Sequence, residues 1–170
     1  MYYKMVRSRL VWIANALIAI VFFSSCETKQ LFEQSTMYPS HNWSSKQANE
    51  YLFTITDTSA AYKVYFVIRH HNAYHYKNIW IQLNTRGPND SLTKQSVNLN
   101  LADDEKGWLG TGMDDIYDQR IPISTDSVHF KKGVYKFVLS HTMREDPLEN
   151  ILSTGIRVEK VKPRLADLSK

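Results

Sequence analysis

Residues 96–101 read Ser-Val-Asn-Leu-Asn-Leu, polar and apolar side chains in strict alternation. Successive side chains of an extended strand point to opposite faces, so this pattern gives a strand one dry face and one wet face. The same period of two recurs along the chain. Residues 62–70 put Tyr62, Val64, Phe66 and Ile68 on one face, with Lys63, Tyr65, Val67 and Arg69 on the other. Residues 78–85 set Ile79, Ile81 and Leu83 against Trp80, Gln82 and Asn84, and residues 134–141 turn Tyr135, Phe137 and Leu139 inward. Residues 50–56 are rich in aromatic and β-branched residues, and residues 127–130 form a short run before Lys132-Gly133. The last run, residues 155–161, sets Ile156 and Val158 against Arg157 and Glu159 and is expected to end where Lys160 breaks the inward row.

Turn-forming residues separate these runs at Asp57-Thr58, Gly87-Pro88-Asn89-Asp90, Gly107 and Lys132-Gly133. Many short one-sided strands at this spacing predict an all-β fold, an antiparallel β-sandwich of jelly-roll or immunoglobulin-like type. One helical turn is expected over residues 143–151, with Asp146 as its cap and Pro147 in the first helical position. No long stretch has the 3.6-residue period that crossover helices or a bundle require.

The first 25 residues have a different character. Lys4, Arg7 and Arg9 precede an apolar run, residues 10–23, interrupted only by Asn15, and Ser24 and Ser25 follow. This is the three-part layout of an export signal, and the run is shorter than the roughly 20 residues a membrane-spanning helix needs. The only cysteine of the chain, Cys26, comes directly after the small residues. A lone thiol cannot form an internal disulfide or a multi-cysteine zinc site. Its position after Phe-Phe-Ser-Ser matches the box at which bacterial lipoproteins are cut and acylated, with Phe23 where leucine is commoner. Plain secretion with a free thiol is the alternative, as is an uncleaved anchor helix. Each buried methylene contributes about 0.8 kcal/mol, so two or three acyl chains on one residue would make a lasting anchor. The expected organisation is a signal peptide over residues 1–25, a lipidated tether over 26–42, a β-sandwich over 43–161 and a tail over 162–170.

Charge narrows the partners. The 170-residue chain holds 21 Lys and Arg against 17 Asp and Glu. Lys4, Arg7 and Arg9 leave with the signal, and 18 bases against 17 acids remain. A nucleic-acid binder needs a basic patch in its folded domain, and no such run appears.

Catalytic and metal motifs are sparse. His70, His71 and His75 are close in sequence, but neighbours on a strand face opposite ways, and no H-E-x-x-H pattern is present. Asp103, Asp104 and Glu105 precede Gly107, and Asp114, Asp115 and Asp118 follow Gly112, without the spacing of a calcium loop. No G-x-S-x-G, phosphate loop or dinucleotide fingerprint occurs. The residues predict no enzyme, no cofactor and no metal.

Three ordered blocks resemble a known family. Residues 65–83 carry Arg69 and Tyr74-His-Tyr76 ahead of Asn78-Ile-Trp80, residues 107–116 open on Gly-Trp-Leu-Gly, and residues 133–160 contain Met-Arg-Glu-Asp-Pro-Leu before the last strand. Together with the Cys26 signal, they are similar to the GldH gliding-motility lipoproteins of Bacteroidota. The resemblance spans most of residues 43–161. It implies a non-enzymatic cell-envelope lipoprotein needed for surface movement, linked functionally to the type IX secretion machinery, and it supplies no catalytic residues. Its expected partners are the lipid bilayer, through acylated Cys26, and other gliding or secretion envelope proteins. Arg69, Tyr74, Tyr76, Trp80, Trp108 and Arg144 are the candidate contact residues. Glu27, not aspartate, follows Cys26, and only one acid lies in the first residues after it, which together predict the outer membrane, facing the periplasm. A second reading is a carbohydrate-binding β-sandwich lipoprotein with Trp80 or Trp108 as a stacking platform.

Substituting Cys26→Ala should leave a full-length precursor that takes up no labelled palmitate in cells. Processing and labelling at wild-type levels would remove the anchor from this reading.

Overall fold

The computed structural model describes residues 30–123 and 126–161, and within them every regular element is a strand. In chain order these are β1 (Gln30–Met37), β2 (Asn42–Trp43), β3 (Asn49–Ile55), β4 (Ala61–His71), β5 (Asn78–Arg86), β6 (Thr93–Asn100) and β7 (Ala102–Asp103). There follow β8 (Gly107–Trp108), β9 (Thr111–Met113), β10 (Ile116–Pro122), β11 (Gly133–His141), β12 (Leu148–Glu149) and β13 (Ile151–Val161). The expected signal peptide, Cys26 and the tail over 162–170 lie outside the described residues.

The strands pair antiparallel into a five-stranded sheet, β1-β13-β4-β10-β9, and a four-stranded sheet, β3-β11-β5-β6. Two short pairs, β12-β2 and β7-β8, close one end. Counting only the eight long strands, the first, eighth, third and sixth form one layer and the second, seventh, fourth and fifth the other. That order is the jelly roll, which resolves the two sandwich types left open by the sequence. Nearly every connection crosses between layers, so the loops gather at the two ends.

Alternation explains the core. Tyr51, Phe53 and Ile55 of β3, Ile79, Ile81 and Leu83 of β5, and Tyr135, Phe137 and Leu139 of β11 are all buried. They face Tyr62, Val64, Phe66 and Ile68 of β4 and Ile156 and Val158 of β13. Phe53 is an aromatic hub, with ring centroids of Phe32, Phe137 and Tyr135 at 5.3, 5.0 and 5.7 Å. Such offset and edge-on pairs add to the area they bury. A buried polar cluster joins the layers: Tyr38 Oη lies 2.6 Å from Thr154 Oγ1, Asn49 donates to the same hydroxyl at 2.6 Å, and Tyr51 donates to the Thr154 carbonyl at 2.9 Å.

The structure corrects the sequence reading in four places. Residues 30–37, expected in the tether, form edge strand β1 along β13, from Gln30 opposite Glu159 to Met37 opposite Ser153. Leu31 and Phe32 pack on the core, whereas Met37 is 60% exposed. Residues 127–130 are not a strand; Val128 makes a single bridge to Tyr62, while Phe130 tucks against Tyr62 and Tyr135. No helical turn forms over 143–151. The Asp146 carboxylate accepts the amide and hydroxyl of Ser45, at 2.7 and 2.6 Å, and buried Leu148 pairs with Trp43. Finally, β13 begins at Ile151 and runs to Val161, so Gly155 sits in mid-strand and Lys160 does not end it.

Gly155 leaves no room between β13 and β1 for a side chain. A Cβ there would meet the Gln34 carbonyl oxygen at 2.3 Å and the Ser35 Cα at 2.8 Å, both backbone. Overpacking of this kind costs about 1–3 kcal/mol. Gly155→Ala should lower the unfolding free energy by that amount, read from urea unfolding by circular dichroism; an unchanged midpoint would mean that β1 yields freely.

Candidate functional site

Antiparallel register sorts the loops by end. Residues 38–48, 72–77, 101–106 and 142–150 gather where β4 ends and β5 begins. Gln30, Val161, residues 57–60 and residues 87–92 gather at the other. The candidate site belongs to the first group, called here the distal end because both ends of the described chain lie opposite.

Backbone bonds tie the distal loops together. His71 N donates to Asn150 O at 3.0 Å, Asn72 N to Asp115 O at 2.7 Å and Thr142 N to Trp80 O at 3.0 Å. Asn150 itself has a φ of 65° and donates its side-chain amide to Ala73 O at 3.0 Å. Beneath these loops lies an aromatic cluster around His70, with the Trp108, Tyr74 and Tyr117 rings centred 4.7, 5.7 and 5.9 Å away. Trp108 reaches it because Gly107 and Gly110 take φ values of 73° and 89°, a region glycine enters without a Cβ penalty. Gly110 admits nothing larger, since a Cβ there would lie 2.3 Å from Asp118 O.

Outside this support a groove of about 590 Å³ opens, lined by Tyr76, Asn78, Trp80, Thr142, Met143 and Arg144. Trp80 is 43% exposed, although its neighbours Ile79 and Ile81 are fully buried. The Met143 sulfur accepts the Trp80 amide at 3.2 Å. The acids beside Arg144 turn away from it. Glu145 binds His75 Nδ1 at 3.1 Å, accepts the Tyr76 hydroxyl and receives Glu149 N at 3.2 Å. Burial raises its pKa, but these hydrogen bonds outweigh that and hold the carboxyl below its ordinary range. Asp146 is also lowered, chiefly by Ser45. Among the described residues, Arg144 is the only charged side chain lining the groove.

Three of the six candidate contact residues, Tyr76, Trp80 and Arg144, thus share one groove. Tyr74 is buried and Trp108 half-buried in the cluster behind it, where burial also raises the Tyr74 pKa. Arg69 lies on the other sheet and makes a two-pronged ion pair with Asp118, at 3.0 and 2.9 Å. Nothing local in the sequence selects Asn78, Thr142 or Met143, because only the register brings β5 beside the loop after β11.

The histidines diverge. His70 is buried, His71 lies 3.6 Å from Asp115, and His75 faces Glu145. The acid-rich loop is occupied locally: Asp103 accepts the amides of Glu105 and Lys106 at 2.9 and 3.1 Å, and Asp104 pairs with Lys77. Among the described residues, no group of three or more His, Cys, Asp or Glu side chains converges. No helix among them is long and apolar enough to cross a membrane.

With this geometry in place, comparisons with known proteins are informative. The family described as GldH lipoprotein matches residues 30–158, most of the chain and starting at β1. A curated relative, the gliding motility lipoprotein GldH homolog of Christiangramia forsetii, is 24% identical over 152 residues, covering 85% of this chain and 92% of that protein. No solved structure matches.

Two buried imidazoles under the distal loops make stability depend on pH. Burial holds His70 and His141 below the ordinary histidine value. Each is neutral, His70 Nδ1 donating to His71 O at 2.8 Å and His141 Nε2 to Trp43 O at 3.0 Å. The unfolded chain binds protons first, near pH 6.5, so this stability is complete above that value and lost as pH falls through the lower folded values. The lowered carboxylates act only at more acidic pH. The urea midpoint should therefore fall between pH 7 and pH 5, and His70→Gln with His141→Gln should flatten the fall. A flat wild-type profile would contradict it.

Proposed function

The chain belongs to the GldH lipoprotein family, and on that premise we propose that it is a non-enzymatic envelope lipoprotein of gliding motility. In this reading acyl chains on Cys26 hold it to the outer membrane, facing the periplasm. It acts as a docking module for other gliding components and for envelope proteins linked to type IX secretion. Tyr76, Trp80 and Arg144 are its contact residues, with Tyr74 and Trp108 as their support and Arg69 as a structural ion pair.

One observation carries the docking reading: the candidate groove lies at the end of the sandwich opposite Gln30. Chain arriving from a membrane anchor enters at Gln30, and β1 then runs its eight residues away from it. At about 3.3 Å per residue, the distal loops lie some 20–25 Å from that entry point along the strand. The aromatic cluster under those loops fixes their shape, as a binding surface requires. The ligand set of a catalytic or metal site is not what these loops converge on; they converge on an exposed ring, neutral polar side chains and one guanidinium.

Photo-crosslinking in intact gliding cells tests the reading. A crosslinking residue replacing Tyr76 or Arg144 should capture envelope proteins, while one replacing Lys132, at the entry end, should capture few or none. Equal capture from both ends, or none from the distal end in motile cells, would overturn it.

A further inference from the structure

The outer faces of the two sheets differ in chemistry. On the five-stranded face most charges pair with one another: Arg69 with Asp118, Arg120 with Glu33, and Arg157 with both Glu33 and Glu159. The four-stranded face is built differently. Its outward-facing positions on β5 are Asn78, Trp80, Gln82, Asn84 and Arg86, of which Trp80 and Arg86 are exposed, and on β6 Lys94, Ser96, Asn98 and Asn100. β3 and β11 add Glu50, paired with Lys136, and the hydroxyl of Ser140.

Trp80 stands in a ring of neutral hydrogen-bonding groups. Asn98 is directly across on β6, Asn78 and Gln82 flank it along β5, and Thr142 adjoins it on the β11 side. Asn78 donates to Asn98 at 2.7 Å and Gln82 to Asn84 at 3.2 Å, which orients the carboxamides and leaves each with further donor or acceptor capacity. Further out, Arg86, Lys94 and Arg144 form no ion pair among the described residues. Arg86 lines a second hollow of about 170 Å³ on the same face, with Asn84, Leu92, Lys136 and Val138.

We propose that the outer face of the four-stranded sheet binds an extended carboxylate-bearing glycan, with Trp80 as the stacking platform. The chemistry matches part by part. The apolar C–H face of a pyranose covers an exposed indole, which is desolvated at little entropic cost because the strand holds it. Carboxamides each offer a donor beside an acceptor, the pairing that neighbouring sugar hydroxyls need. Unpaired guanidinium and ammonium groups at both ends of the track take up carboxylates, arginine in two-pronged form. From Asn78 to Arg86 the track covers nine residues, about 26 Å at 3.3 Å per residue, which suits a chain of several sugars. An acidic peptide does not need the amide-ringed indole.

This goes beyond docking of envelope proteins and takes from that reading only that the groove is a working surface. The test uses the purified full-length protein in detergent, so its failure says nothing about motility or crosslinking. Calorimetric titration would use hexagalacturonate, its uncharged methyl ester, an amino-sugar oligosaccharide with lactyl carboxylates, and polyglutamate. We expect an acidic saccharide to bind with a Kd below about 1 mM, and more weakly as salt rises. Trp80→Ala should weaken binding at least tenfold, while Trp80→Phe keeps most of it. Arg86→Gln with Arg144→Gln should weaken the acidic sugar and leave the ester unchanged. Thermal melts confirm that the variants fold, and these exposed positions should not move them. No binding of any saccharide overturns the proposal. So does binding that survives Trp80→Ala, or polyglutamate binding as tightly as the sugars.

Discussion

Two sheets, each apolar on one face, bury those faces against each other, and the rest of the molecule depends on that contact. Phe53, Phe137 and Tyr135 from one layer meet Phe32 from the other and Phe130 from a loop. Small-to-large changes there would force strands apart, since interiors pack like crystals. The jelly-roll order then makes chain segments distant in sequence neighbours at the ends. Tyr76 and Arg144 line one groove only because β5 and β11 are paired.

What the sequence revealed follows from how local each signal is. Alternation within a strand depends on the chain's own pleat, so the inward rows of β4, β5 and β11 were legible residue by residue. Strand β1 was not, because its sequence is mostly polar. As an edge strand, it is held by backbone pairing with β13 and by two apolar contacts, Leu31 and Phe32. The segment after β11 misled for a different reason. Asp146-Pro147 is a sound helix start in isolation, but the Asp146 carboxylate is taken by Ser45, from a segment a hundred residues earlier. Four alternating residues at 127–130 were too few to specify pairing.

The candidate site was legible in its parts and not in its arrangement. An aromatic at an outward strand position, Trp80, could be named from period alone. Which of Tyr74 and Tyr76 faces outward could not, because the loop after β4 turns on backbone bonds to Asp115 and Asn150. Trp108, named as a candidate contact residue, packs against His70, a buried partner that no local pattern indicates. The contrast between the two sheet faces also needs the register, because only it tells which acids and bases are close enough to neutralise one another.

The placement of β1 has a mechanical consequence. Its first residue is at the entry end, its hydrogen bonds to β13 lie across the strand axis, and the groove is at the far end. A pull between the N-terminal side and anything held in the groove therefore runs along β1. The load falls on the whole row of bonds at once, in shear, instead of peeling them one by one. A tethered domain built this way resists being dragged far better than it resists being unzipped.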